Sequence, residues 1–109
     1  MKEKYLGKIA NAEFGTIKDY PFLIGLRLVF SMGGYVCLDG GKYTVNIDSE
    51  CKWNDENERQ ATITKYIEKI YEILNDAKVN YVSELIGKPV EVTIEDNTFK
   101  DFRILTEVL

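Results

Sequence analysis

The nine residues FLIGLRLVF, 22 to 30, constrain the fold more than any other stretch of this chain. Phe22, Ile24, Leu26, Leu28 and Phe30 fall on one side of an extended segment, and Leu23, Gly25, Arg27 and Val29 fall on the other. A period of two with aromatic and branched residues is the pattern of a β-strand. Both of its faces are mostly apolar, so the strand belongs in the middle of a sheet. Its second face calls for cover by a helix or by another subunit, with one arginine in its midst.

The remaining segments can be placed around that strand. KYLGKIANAEFGTI reads as one or two strands with a bend, since Gly7 and Gly15 weaken regular structure. Tyr20-Pro21 favours an extended or turn conformation. Tyr43, Val45 and Ile47 alternate with Thr44 and Asn46 and give another strand. The two strands pair as a hairpin, with residues 31 to 42 as its long loop or as partial extensions of its strands.

A polar break, DSECKWNDENERQ, precedes a different period. Asn54, Asp55 or Asn57 can cap a helix by accepting backbone N–H bonds, and acidic residues in the first turn suit its dipole. Apolar residues then recur at Ile63, Ile67, Ile70, Leu74 and Ala77, spacings of 4, 3, 4 and 3. The spacing predicts an amphipathic helix over about residues 57–77. NYVSELIGKP reads as a short second helix or turn, with Val82, Leu85 and Ile86 inward and Gly87 ending it in a left-handed conformation. VEVTIE and FKDFRILTEVL form a terminal hairpin that turns at Asp96-Asn97 and bends near Asp101. Strands, a helix, a short helix and a hairpin give one α+β domain over residues 1–109. Its expected form is a mostly antiparallel sheet of about five strands with the long helix and a short helix packed on it.

Composition limits the chemistry. The chain has no histidine, which removes Ser-His-Asp and Cys-His nucleophile systems and the commonest transition-metal ligand. Two cysteines, Cys37 and Cys51, cannot close a zinc site. Without a secretory signal they read as reduced cytosolic thiols. The net charge of −4 argues against bulk binding to DNA or RNA, which requires a surplus of Lys and Arg. No apolar run approaches the roughly 20 residues of a membrane span. The expectation is a cytoplasmic protein without enzymatic activity, cofactor or metal.

The segment SMGGYVCLDGGKYTVNI holds two glycine pairs, the second followed by Lys42. It fails as a phosphate-binding P-loop: Val36 stands where the first glycine belongs, Tyr43 replaces the Ser or Thr, and a strand follows instead of a helix. It remains a candidate contact loop, with Tyr35 offering a stacking face, Lys42 a charge and Asp39 a carboxylate. Arg27 and Arg103 carry two readings, a packed or ion-paired arginine and an anion-recognising fork. Trp53 is read as a cap over the core at the helix entrance, with a partner contact as the alternative. Seven tyrosines, five phenylalanines and one tryptophan, with a two-sided apolar strand, favour a homo-oligomer.

The segments IANAEFG, DYPFLIGLRLVF, GGKYTVN and DAKVNYVSELIGKPVEVTIEDNTFKDFRILTEVL resemble a family of small, uncharacterised proteins from phages and prophages of Gram-positive bacteria. The resemblance spans nearly the whole chain and brings no catalytic motif. It implies a role inside the host cell during infection or lysogeny. On that reading the protein counters a bacterial defence system by binding. One version sequesters a small nucleotide signal in pockets between subunits, gripped by Arg27, Lys42, Arg103 and aromatic rings. The other occludes a defence protein such as a CRISPR effector, with acidic residues of the long helix, DSE and NDENE meeting a basic partner. The alternative from another class is a phage replication or recombination accessory that binds nucleic acid.

Overall fold

Two long antiparallel strands carry the fold, β1 (Lys2–Ile17) and β2 (Tyr20–Met32). The computed structural model describes residues 1–48, 50 and 53–109; Ser49, Cys51 and Lys52 lie outside the description. β3 (Tyr35–Leu38) and β4 (Thr44–Asn46) both pair with β2 on its far side. Helix α1 (Glu56–Ala77) follows, then a short 3₁₀ helix (Val82–Leu85). β5 (Pro89–Glu95) and β6 (Thr98–Ile104) close the chain as a hairpin. The six strands form one antiparallel sheet in the order β3-β2-β1-β5-β6, with β4 beside β3 on β2.

The α+β architecture expected from the sequence is the one observed, and the additional strand comes from the glycine segment itself. Gly33 and Gly34 have φ of 56° and 99° and turn β2 directly into β3. Two successive positive φ angles match the twist of the flanking strands, which a long loop would not need. Asp96 and Asn97, with φ of 53° and 64°, make the same kind of turn between β5 and β6.

The sheet is curled. β1 pairs with β5 through Lys2–Lys8 and with β2 through Lys8–Ile17. At the handover the β1–β2 register slips between Ile9 and Asn11, leaving Ala10 as an extra residue. Such a bulge bends a strand and increases its twist. Gly7 sits where a Cβ would collide with the Ser31 carbonyl, so only glycine allows the close approach. In a flat sheet β2 and β6 would stand about 14 Å apart, three strand spacings. Instead Phe30 on β2 lies 5.3 Å from Phe99 and 5.0 Å from Phe102 on β6, ring centre to ring centre. Tyr43, just before β4, meets Phe102 edge-on at 5.9 Å. The two margins of the sheet therefore face each other over a shared aromatic core. The Lys42 ammonium spans them, donating to the Lys100 carbonyl at 2.6 Å and standing 3.5 Å from Asp101.

Helix α1 covers this inner face, touching β4 on one side and β6 on the other. Ile70, Ile73 and Ala77 are buried against Leu26, Phe30 and Phe102, with Ile63 and Tyr66 half-buried. The apolar stripe thus runs 63, 66, 70, 73, 77, and Ile67, expected inside it, is 54% exposed. Tyr66 and Ile73, at the margin of the expected stripe, take its inner part above the aromatic cluster. Asp55 is the N-cap, accepting the Glu58 N–H at 2.8 Å. Arg59 ties the helix start to the end of β4, donating to the Ile47 carbonyl through Nε at 3.1 Å and Nη2 at 2.6 Å. Leu85 is fully buried, whereas Ile86, also expected inward, is exposed. The backbone reason is the β1 bulge: the Gly87 N–H donates to the Ile9 carbonyl at 2.7 Å, and Gly87 adopts the expected positive φ, 89°.

One feature of this core is out of balance. Tyr43 is 2% exposed, and its hydroxyl has no hydrogen-bond partner among the described residues. Burial pushes its pKa well up, with Asp101 and Asp39 adding to the effect. The phenol stays protonated in the folded chain, while in the unfolded chain it ionises near its ordinary value of 10.0. Above that pH the native state holds the extra proton, so stability falls as pH rises. Tyr43→Phe is expected to stabilise the protein by about 1 kcal/mol at neutral pH and to flatten its alkaline loss. Urea denaturation of both proteins from neutral pH to about pH 11 checks this; a destabilised variant would show that the hydroxyl is engaged.

Candidate functional site

Strand alternation sorts the candidate residues onto two faces. The inner face holds the core and α1. Among the described residues no element covers the outer face. On it stand Leu6, Val36 and Leu38, exposed by 69%, 71% and 60%, together with Arg27 and half-buried Leu23 and Val29. The second face of FLIGLRLVF, for which the sequence called for a cover, is this open one.

Arg27 stands across the β1–β2 ladder from Glu13. The Glu13 carboxylate takes a hydrogen bond from Asn11 at 3.1 Å. Among the described residues no carboxylate lies within 4.0 Å of the Arg27 guanidinium. It borders a hollow of about 270 Å³ whose apolar walls are Ile17, Leu23, Val29 and Leu38. An unpaired planar fork among aliphatic side chains can accept a carboxylate or phosphate bidentately while its stem packs.

Asp39 lines the same hollow from below and has a structural part. It is 6% exposed. Its carboxylate accepts the Leu28 N–H at 2.8 Å and the Gly41 N–H at 3.0 Å, and its own N–H donates to the Leu28 carbonyl at 3.2 Å. It thereby continues the ladder on β2 between β3 and β4. Gly40 and Gly41, with φ of 66° and 78°, follow it into the turn. The Gly41 amide that a phosphate loop would offer to a ligand is already bound to Asp39.

The other candidates lie apart from this hollow. Lys42 belongs to the seam with β6 and also stands 5.9 Å from the Phe99 ring centre. With Lys65, Tyr66, Glu68, Lys69 and Glu72 it borders a groove of about 630 Å³ beside α1. Lys69 pairs with Glu72 at 3.5 Å, so lysines stand among the acidic residues of the exposed helix face. Arg103 is committed: it bonds Glu91 at 3.2 Å and Glu107 at 3.2 Å, which raises its pKa further, while the backbone N–H of Glu107 first and Arg103 second hold the Glu107 carboxyl low. Trp53, half-buried, donates to the Asp48 carbonyl at 3.1 Å. The thiol of Cys51 and Ser49 of the DSE segment lie outside the described residues.

Tyr35, 72% exposed, has a neighbour that the sequence did not suggest. With Tyr5 it flanks a hollow of about 380 Å³ floored by Met32, Cys37 and Ile94 and rimmed by Asn97. Tyr5 donates to Glu3 at 2.7 Å, and that carboxylate, with burial, raises its pKa. The Cys37 thiol is also pushed up, by burial and then by Asp39. No strand period could have paired residues 5 and 35, because only the curl brings their ends of the sheet together. Arg27, Lys42 and Arg103 accordingly do not converge on one pocket. No group of three or more metal-ligating side chains occurs among the described residues, and none of their helices is long and apolar enough to cross a membrane.

No family model, curated protein or solved structure matches the chain.

The place of Asp39 in the ladder makes a direct test. Asp39→Ala leaves two inward N–H groups without an acceptor and is expected to destabilise the fold by about 3 kcal/mol. Asp39→Asn keeps one acceptor oxygen and is expected to cost about half as much. Equilibrium urea unfolding measures both, and an Asp39→Ala protein of native stability would refute the ladder role.

Proposed function

We propose that the protein acts by non-catalytic binding through its open outer sheet face, with Arg27 as the anchor. The observation that carries this reading is the Arg27 guanidinium, with no carboxylate within 4.0 Å among the described residues, set on the open face beside Ile17, Leu23, Val29 and Leu38 in a hollow that Glu13 and Asp39 also line. An arginine ringed by apolar side chains is the usual composition of an interface hot spot. Within one chain, the size of the hollow favours a protein partner over a nucleotide; a pocket between subunits would be larger. At about 270 Å³ it falls below the range of small-molecule pockets, roughly 300–1,000 Å³. The hollow at Tyr5 and Tyr35 has no basic lining residue and lies beside Glu3, which is unfavourable for phosphate, and the groove of about 630 Å³ along α1 sets Glu68 and Glu72 among its lysines. A protein partner presenting a carboxylate among apolar residues suits the outer face better than a nucleotide held by one chain.

The resemblance to phage proteins gives this binding its direction: the partner is a host defence protein, such as a CRISPR effector, whose working surface is covered. The expected outcome is that the protein, expressed in a defence-competent host, restores plaque formation by a targeted phage. Arg27→Glu is expected to weaken binding to the responsible partner about 30-fold, some 2 kcal/mol, and to abolish the rescue. Lys65→Glu, on α1, is expected to leave both intact. A folded Arg27→Glu protein that still rescues plaques would sink the assignment of the outer face. Failure of the unaltered protein to rescue any phage would sink the anti-defence direction.

A further inference from the structure

The two margins of the sheet are guarded very differently. β6 carries Lys100, Asp101 and Arg103, and its register with β5 slips between Thr93 and Ile94, leaving Lys100 as an extra residue. Charges and bulges of this kind keep an edge strand from pairing with another chain. β3, Tyr-Val-Cys-Leu, has no charge, no proline and no bulge. Its Val36 and Leu38 side chains are 71% and 60% exposed.

The β2–β3 register fixes which of its backbone groups are free. The two-residue turn makes Met32 and Tyr35 the first hydrogen-bonded pair of the hairpin. Antiparallel ladders alternate, so Tyr35 and Cys37 direct their N–H and C=O toward β2, while Val36 and Leu38 direct theirs outward. The Asp39 N–H bond to Leu28 continues the same alternation.

We propose that β3 pairs antiparallel with β3 of a second copy of this chain, about a two-fold axis at Cys37. Only this register uses all four outward-directed pairs of groups. Val36 exchanges both bonds with Leu38 of the second copy, and Leu38 exchanges both with its Val36. Shifting the axis to Val36 or Leu38 leaves part of the edge unpaired. The side chains agree with it. Val36 and Leu38 meet across the join on the outer face as an apolar cluster, and Tyr35 lies across from Asp39 of the second copy. No two like charges stand directly opposite, although each chain carries a net charge of −4. Four residues a side give a contact at the small end of interface sizes, below about 1,200 Å² in total, so the dimer is a weak one that forms in the micromolar range. The join makes the two outer faces continuous and sets two Arg27 sites on one surface. It does not rest on the function proposed for that face.

Cys37 supplies a signature of the register. At a non-hydrogen-bonded position its Cα stands about 4.5 Å from that of its copy, inside the span a disulfide bridges. The experiment uses Cys51→Ser protein with the diazene oxidant diamide. Each bridge formed joins two Cys37 sulfurs, and their two hydrogens reduce one diamide to its hydrazine. Rapid, near-complete conversion to a disulfide dimer is expected. Sedimentation velocity of the unoxidised protein is expected to show a monomer–dimer equilibrium. Val36→Lys should shift it to monomer and slow cross-linking at least tenfold, while Arg27→Glu should leave it unchanged. Circular dichroism confirms that each variant is folded. A protein that stays monomeric at high micromolar concentration overturns the proposal. So does a dimer unaffected by Val36→Lys, or one whose Cys37 thiols fail to cross-link.

Discussion

The contact between Phe30 and the two phenylalanines of β6 is the constraint on which the remaining structure depends. It joins strands that a flat sheet would hold three spacings apart. To permit it, β1 must bend, and the bend is built where the strand hands over from β5 to β2. Gly7 allows the close approach to Ser31, and the extra Ala10 adds twist. The inner face is then narrow enough for one helix to cover. The burial of Ile70, Ile73 and Ala77 follows from that geometry as much as from the spacing of the residues.

Curling a sheet leaves the problem of its margins, and Asp39 is the local answer on one of them. β3 ends at Leu38 and β4 begins at Thr44, so β2 would have unpaired backbone at Leu28 between them. A buried carboxylate with two N–H donors fills the gap. Charge-assisted bonds of this type are stronger than neutral ones, which suits a position that must hold β4 against β2. Gly25 serves the same junction from the other side: any side chain there would strike the Tyr43 carbonyl, which accepts from Leu26.

Much of this fold was legible because its signals are local. The period of two over residues 22–30, the helix over Glu56–Ala77 and the Asp96-Asn97 turn each rest on residues adjacent in sequence. The glycine segment was legible only in part. Its two glycine pairs announce turns, yet the strand between them is four residues long and too short to show a period. The site was less legible still. Arg27 was identifiable as an anomaly on an apolar face. Whether it had a partner depended on Glu13, fourteen positions earlier, turning instead to Asn11. Arg103 looked equivalent in sequence and proved to be tied to Glu91 and Glu107. The hollow between Tyr5 and Tyr35 depends on the curl and has no sequence signature.

The two faces of β2 differ in what they do for stability. Leu26, Leu28 and Phe30 are almost wholly buried, so changes there act through the core. The residues between them, Arg27 and Val29, share the same backbone yet add little to the core, because no element among the described residues lies over them. Their positions are held by hydrogen bonds to β1, β3 and β4 that do not depend on what the side chains touch. The backbone beneath Arg27 is therefore fixed before anything binds, while its exposed, unpaired side chain keeps its rotamer freedom and is ordered only by a bound group.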